Sequence, residues 1–148
     1  MAEIAVEATQ VPAQIPGIHV AVLGAGKMGG ILLQAFLKQN LFAPEQIHAT
    51  VGHAEKAIAL STQWGVDVST NNLEAAHQAD LILIGVKPFQ VPDLIAEIRP
   101  ALTAGKTLVS FAASVKTRAI EEAAGLDIAV IRAMPNTPSA LGAGAAGL

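Results

Sequence analysis

Three glycines, Gly24, Gly26 and Gly29, close an apolar run that begins at Ile18. Spaced G-x-G-x-x-G between a strand-like run and a helical one, each has its own mechanical job. Gly24 makes the tight turn off the strand. Gly26 leaves the backbone bare so that a pyrophosphate can come close, and Gly29 lets the following helix pack on the sheet. That helix offers free N–H groups and the positive end of its dipole to the phosphates. The chemistry predicted is the holding of a dinucleotide, against the plainer reading of a structural glycine turn.

Three more segments place unusual residues at the ends of apolar runs, where open α/β sheets bind ligands. Gly85-Val86-Lys87-Pro88 sets a cation beside a rigid turn. Ser110-Phe111-Ala112-Ala113-Ser114 brings small residues to an edge that a flat ring could approach. Arg132-Ala-Met-Pro-Asn-Thr-Pro138 carries Pro135 and Pro138, which stiffen the loop and suit it to positioning reactants. Plainer readings stand beside these. Lys87 is a surface lysine, Met134 a core residue, Arg132 a solvated strand-end charge, and Asn136 and Thr137 bond their own turn.

The acidic residue that grips an NAD ribose about 20 residues past such glycines is missing. The second strand ends Ala49-Thr50-Val51-Gly52-His53 without a carboxylate, and Glu55 falls where it serves a helix dipole. His53 and Lys56 nearby tilt the expectation toward the 2′-phosphate of NADP, although the usual arginine is absent too, and NAD stays possible. NADPH is therefore expected to bind more tightly than NADH. His53 as an ordinary solvent-facing histidine is the competing reading. The four histidines show no metal-ligand spacing, His19 reads as structural, and no metal site is expected. No catalytic triad or carboxylate pair stands out, so catalytic residues are left unassigned.

The elements that must position these residues follow from periodicity. Strands are expected at 18–23, 47–51, 66–68, 80–86, 107–112 and 128–132, and helices from the glycines to residue 40, at 54–64, 73–77, from Pro92 to about residue 98, and at 115–124. Asn71 or Asn72 caps the third helix, and Gly65 and Gly125 close the second and last. This alternation predicts an α/β fold: a Rossmann-like, doubly wound, mostly parallel sheet with helices on both faces. Its 148 residues, 52% hydrophobic and 14% charged, suit one domain with strands buried on both sides. Residues 1–17 read as a flexible lead segment and 18–148 as a dinucleotide-binding domain.

Net charge −3 without a Lys/Arg run argues against nucleic acid as a partner, and no apolar run approaches a membrane span. The lack of cysteine removes disulfide and thiolate chemistry and suits a cytoplasmic location. No signal-peptide pattern opens the chain. The Gly/Ala tail from Leu141 ends without a helix cap and reads like a chain cut in mid-architecture.

Taken in order, G-A-G-K-M-G, G-V-K-P, S-F-A-A-S and I-R-A-M-P-N-T-P resemble the N-terminal half of pyrroline-5-carboxylate reductase, from Ile18 to the end of the chain. The M-P-N-T-P loop is the most specific part. The resemblance implies that Leu23, Gly24, Ala25, Gly26, Lys27 and Met28 cradle the pyrophosphate, with Gly29 packing behind them. It implies that Val51, Gly52 and His53 lie beside the adenosine ribose, that Asn72 contacts the cofactor, and that Val86, Lys87, Pro88, Ala112 and Ala113 line the nicotinamide side. It also implies reduction of 1-pyrroline-5-carboxylate, a cyclic imino acid, to proline with NADPH. The family's second, all-helical domain, which makes the homo-oligomer and much of the substrate pocket, is expected to be missing, so this chain should bind cofactor yet turn over poorly. Lys27 replaces a frequent Asn, Ser114 a frequent Gly, and Gly52 a polar or basic residue. Rival readings are another imine or hydroxy-acid reductase, and a dinucleotide-binding module without catalysis.

Overall fold

The computed structural model describes residues 14–135 and 146–147. Six strands, β1 (Val20–Leu23), β2 (Ile47–Thr50), β3 (Asp67–Ser69), β4 (Leu81–Ile84), β5 (Thr107–Ser110) and β6 (Ala129–Arg132), form one sheet in the order β3-β2-β1-β4-β5-β6. Every pairing in it is parallel, so the doubly wound sheet expected from sequence is parallel throughout. Five helices make the crossovers: α1 (Lys27–Lys38), α2 (Ala54–Trp64), α3 (Asn72–Gln78), α4 (Val91–Ile98) and α5 (Thr117–Ala124).

The strands are apolar on both faces because each face has its own helix layer. Val20, Val22, Ile47 and Ala49 pack with Leu33 of α1 and Ala57 of α2. The alternate residues Ala21, Leu23, Ile82 and Ile84 pack with α3, α4 and α5 through Ala76, Ile95 and Ile120. The central strand β1 is wholly buried, which makes it a rigid mount for the glycine turn that follows.

Local signals account for the helix ends. Asn71 caps α3 by accepting the Glu74 N–H at 3.0 Å, while Gly65 and Gly125 end α2 and α5 in the left-handed conformation. The short α3 is closed by a distant residue. Lys106 Nζ donates to the carbonyls of Ala76 (2.8 Å), His77 (2.8 Å) and Ala79 (2.6 Å). Burial pushes the Lys106 ammonium below the usual lysine range, partly opposed by the charge of Asp80. At the opposite edge of the sheet from the glycines, His19 Nδ1 lies 3.3 Å from His48 Nε2, and His48 Nδ1 lies 3.3 Å from Asp67 Oδ2. These contacts tie the starts of three strands together, and His19 sits just outside β1 rather than within it.

Three expectations need correction. The strands are mostly one to three residues shorter than the apolar runs, whose ends continue as loop backbone still bonded to the neighbouring strand, as where the Gly85 N–H donates to Leu23 O and the Phe111 N–H to Ile84 O. Met134 is 47% exposed rather than core. Arg132 is half-buried, its Nε shielded and without a hydrogen-bond partner among the described residues, rather than a solvated charge. Arg132 ends the edge strand β6, which alternates between exposed and half-buried residues, and Met134 lies just past that strand. Met134–Pro135 pairs with Ala146–Gly147 as a short antiparallel ribbon. Asn136, Thr137 and Pro138 lie outside the described residues, as do residues 1–13 of the lead segment.

Candidate functional site

From β1 the chain winds outward through β2 and β3, then returns across β1 to β4 and continues the other way. The carboxyl ends of β1 and β4 therefore part into a crevice, the place where doubly wound sheets take ligands. Gly24 opens it with φ +85°, a left-handed turn that a side chain would resist. A Cβ on Gly24 would stand 2.6 Å from Val86 Cγ1 and 3.0 Å from Val86 N. One on Gly85 would stand 2.7 Å from Gly24 O and 3.3 Å from Gly29 Cα, and one on Gly29 would collide with Gly24 O. Three glycines from two segments thus interlock, closed by the Gly85 N–H donating to Leu23 O at 2.8 Å. Gly26 differs: a Cβ there would meet nothing within 4 Å, since it faces the open crevice.

The turn is also held from the side by Thr50. Its carbonyl accepts the Ala25 N–H at 2.7 Å and its hydroxyl accepts the Gly24 N–H at 3.1 Å. The donors left for a ligand are those at the start of α1. First-turn N–H groups have no intrahelical acceptor, and α1 has no side-chain cap and no acidic residue in its first turn.

A cleft of about 680 Å³ spreads from this turn. Its floor is Gly24, Ala25, Gly26, Lys27 and Met28. One wall is Thr50, Val51, Gly52, Lys56 and Asn72, and the other runs from Gly85, Val86, Lys87 and Pro88 to Gln90 and to Phe111, Ala112 and Ala113. Lys27, Lys56 and Lys87 line it without a single acidic residue, in a chain whose net charge is −3. Such a volume is that of a cofactor site. Bare backbone at Gly26, uncapped helix donors and a cationic lining suit a phosphate-rich ligand, and Ala112 and Ala113 keep the far wall small. Ser110, fully buried, supports that edge by accepting the Ala112 N–H at 3.2 Å. Ser114 has φ +69°, the conformation in which a glycine would be at ease.

Thirteen of the sixteen residues that the resemblance places at the cofactor line the cleft: Gly24, Ala25, Gly26, Lys27, Met28, Val51, Gly52, Asn72, Val86, Lys87, Pro88, Ala112 and Ala113. Leu23 and Gly29 do not. Leu23 is fully buried in the core and Gly29 is buried behind the turn. His53 lies outside the lining as the exposed residue preceding α2, whereas Lys56, one turn on, reaches the cleft. Thr50, Gly85, Gln90 and Phe111 also line the cleft; Gly85 and Phe111 stood in segments noted from sequence but were given no cofactor role, and Gln90 was not noted at all. That Thr50 and Gly85 meet the glycine turn follows from strand register, which pairs Leu23 with both Thr50 and Ile84. Among the described residues no group of three His, Asp or Glu could hold a metal, and no helix is long and apolar enough to cross a membrane.

Known proteins bear on this geometry. The chain is 34% identical over 128 residues to a pyrroline-5-carboxylate reductase of Corynebacterium melassecola, covering 84% of this chain and 47% of that protein. It is 34% identical over 125 residues to that of Escherichia coli, covering 84% and 46%. Among solved structures, a pyrroline-5-carboxylate reductase from Coxiella burnetii superposes with a TM-score of 0.81 at 30% identity, over 88% of this chain and 48% of that one. A Plasmodium falciparum pyrroline carboxylate reductase with NADP bound superposes at 0.78 and 24% identity, over 89% and 47%, a likeness of fold. The chain spans about half the length of the relatives it matches. The model of the family described as NADP oxidoreductase, coenzyme F420-dependent, matches residues 19–114, a span that holds both the glycine turn and the cleft walls, and the chain belongs to that family.

Proposed function

We propose that this chain is the cofactor-binding half of an NADPH-dependent pyrroline-5-carboxylate reductase, an enzyme that reduces a cyclic imino acid to proline. The observation that carries the reading is the acid-free, lysine-lined cleft at the sheet's switch point, opened by Gly26. The similarity to reductases of that name supplies the substrate.

The bound nicotinamide supplies the hydride. The chain's own residues bind, orient and exclude water. Gly26, Lys27 and Met28 offer their N–H groups to the pyrophosphate, and the Lys27 ammonium neutralises it. Lys56, beside Gly52, meets a 2′-phosphate, which supports NADPH over NADH; NADH binds more weakly. Asn72 meets the ribose on the same wall. Val86, Lys87, Pro88, Ala112 and Ala113 would line the nicotinamide, the two alanines and Pro88 supplying small, rigid surfaces that hold it in place. A protonated imine is already electrophilic, so positioning does most of the work, in keeping with the lack of an evident general acid in the cleft. On this reading much of the imino-acid pocket and the homo-oligomer contacts belong to the part of the family that this chain does not span, and the enzyme acts in the cytoplasm.

The test is to titrate NADPH and NADH against this chain, then to follow NADPH oxidation with 1-pyrroline-5-carboxylate. The reading expects NADPH binding at least about tenfold tighter than NADH and turnover that is slow or nil. Equal affinities would remove the 2′-phosphate role of Lys56. Full-rate turnover by this chain alone would refute the assignment of substrate binding to residues outside it.

A further inference from the structure

Glu97, an exposed carboxylate on α4, lies outside the cleft yet is joined to its first glycine through two side chains. Glu97 Oε2 is 3.2 Å from Asn72 Nδ2, Asn72 Oδ1 is 2.6 Å from Thr50 Oγ1, and Thr50 Oγ1 is 3.1 Å from Gly24 N. The chemistry of the groups allows one direction of hydrogen bonding through this chain. An ionised carboxylate only accepts. The Asn72 amide must therefore give its nitrogen to Glu97 and its oxygen to Thr50. Thr50 has a single hydroxyl proton, which goes to Asn72, so its lone pairs are left to receive the Gly24 N–H.

We infer that Glu97 is a positioning residue for the dinucleotide site. It orients Asn72 and, through Thr50, holds the N–H of Gly24 that shapes the turn. The inference rests on the cofactor reading proposed above. It also sets what Asn72 can offer a ligand. One amide proton goes to Glu97, so the second is free to donate into the cleft that Asn72 lines, toward a hydroxyl or phosphate oxygen. Without the acid, the amide could turn over and present its oxygen to Glu97's place and its nitrogen to Thr50. The hydroxyl would then have to accept from Asn72, and nothing would dictate that it also receive Gly24.

The experiment compares Glu97→Ala, Glu97→Gln, Thr50→Val and Thr50→Ser with the wild type in two ways. Proton–nitrogen NMR of the cofactor-free protein follows the Gly24 amide and the Asn72 side-chain amide, and fluorescence titration follows NADPH. Glu97→Ala is expected to move the Gly24 resonance and narrow the separation of the two Asn72 amide protons. NADPH should bind about threefold to tenfold more weakly, with the unfolding midpoint nearly unchanged because Glu97 is exposed. Thr50→Val should move the same Gly24 resonance and Thr50→Ser should restore it. Glu97→Gln, which keeps an acceptor but adds a donor, should fall between wild type and Glu97→Ala. A Gly24 resonance that responds to Thr50→Val and ignores Glu97→Ala would overturn the role of Glu97. Resonances that move as expected in a protein that never binds NADPH would refute the cofactor reading instead, so the two failures are distinguishable.

Discussion

Replacing Gly85 with alanine separates the packing of the glycine turn from its use. The added Cβ would lie 2.7 Å from Gly24 O, 3.3 Å from Gly29 Cα and 3.4 Å from Leu23 O. All three neighbours are backbone atoms, so no side chain can swing away to make room. Leu23 O is also the acceptor of the Gly85 N–H, so moving either segment strains that bond. Overpacking of this kind costs about 1–3 kcal/mol, and the rigid neighbours put Gly85→Ala near the upper end. For a chain of this length about 3 °C of midpoint accompanies each kcal/mol, giving a fall of about 10 °C. Gly26→Ala is the matched control, because its Cβ would meet nothing within 4 Å. It should melt within about 2 °C of wild type and bind NADPH at least about tenfold more weakly, since the methyl group occupies the space a phosphate approaches. Thermal unfolding by circular dichroism and a fluorescence titration read both. A Gly85→Ala protein melting with the wild type would refute the interlock, and undiminished binding by Gly26→Ala would refute the phosphate approach.

Three further substitutions test separate parts of the account. Ser114→Gly should raise stability by about 0.5–1 kcal/mol, because relief of the left-handed backbone outweighs the added freedom of the unfolded chain; calorimetry would show a midpoint higher by a few degrees. Lys106→Met should lower stability by about 1–2 kcal/mol by leaving the His77 and Ala79 carbonyls at the end of α3 without a protein donor, while the Ala76 carbonyl keeps the Ala79 N–H. The wild type should also gain on this variant as pH rises from the lowered Lys106 value to the usual one, because there the unfolded chain holds the proton that the folded one has released; denaturant titrations across alkaline pH would show the gap widening. Lys56→Ala should weaken NADPH about tenfold and leave NADH nearly unchanged, whereas His53→Ala should leave both as they were, which paired titrations would read directly.

What could be read from the residues alone was whatever depends on neighbours in sequence. The glycine spacing, the Asn71 cap and the terminating Gly65 and Gly125 are local, and the alternation of apolar runs with helical ones is enough to predict a doubly wound sheet. Register is not local. Thr50 and Gly85 reach the turn because β2 and β4 flank β1, and Glu97 reaches it only through Asn72, so even where a segment was noted, as at Gly85, its contact with the turn was not written in it. His53 and Lys56 looked equivalent as nearby cations, yet α2 begins at Ala54 and leaves His53 outside while Lys56 lies one turn in. Arg132 was misjudged because a strand on the edge of a sheet buries neither face fully, and Met134 because it lies past that strand, in the two-residue ribbon with Ala146–Gly147.

Binding calorimetry of NADPH with this chain is the most direct test of the claim that its glycine turn and lysine-lined cleft hold a phosphorylated dinucleotide. The account predicts one molecule bound per chain, with the heat lost in Gly26→Ala while that variant still folds. No heat from the folded wild-type chain, or the same heat from Gly26→Ala, would contradict it.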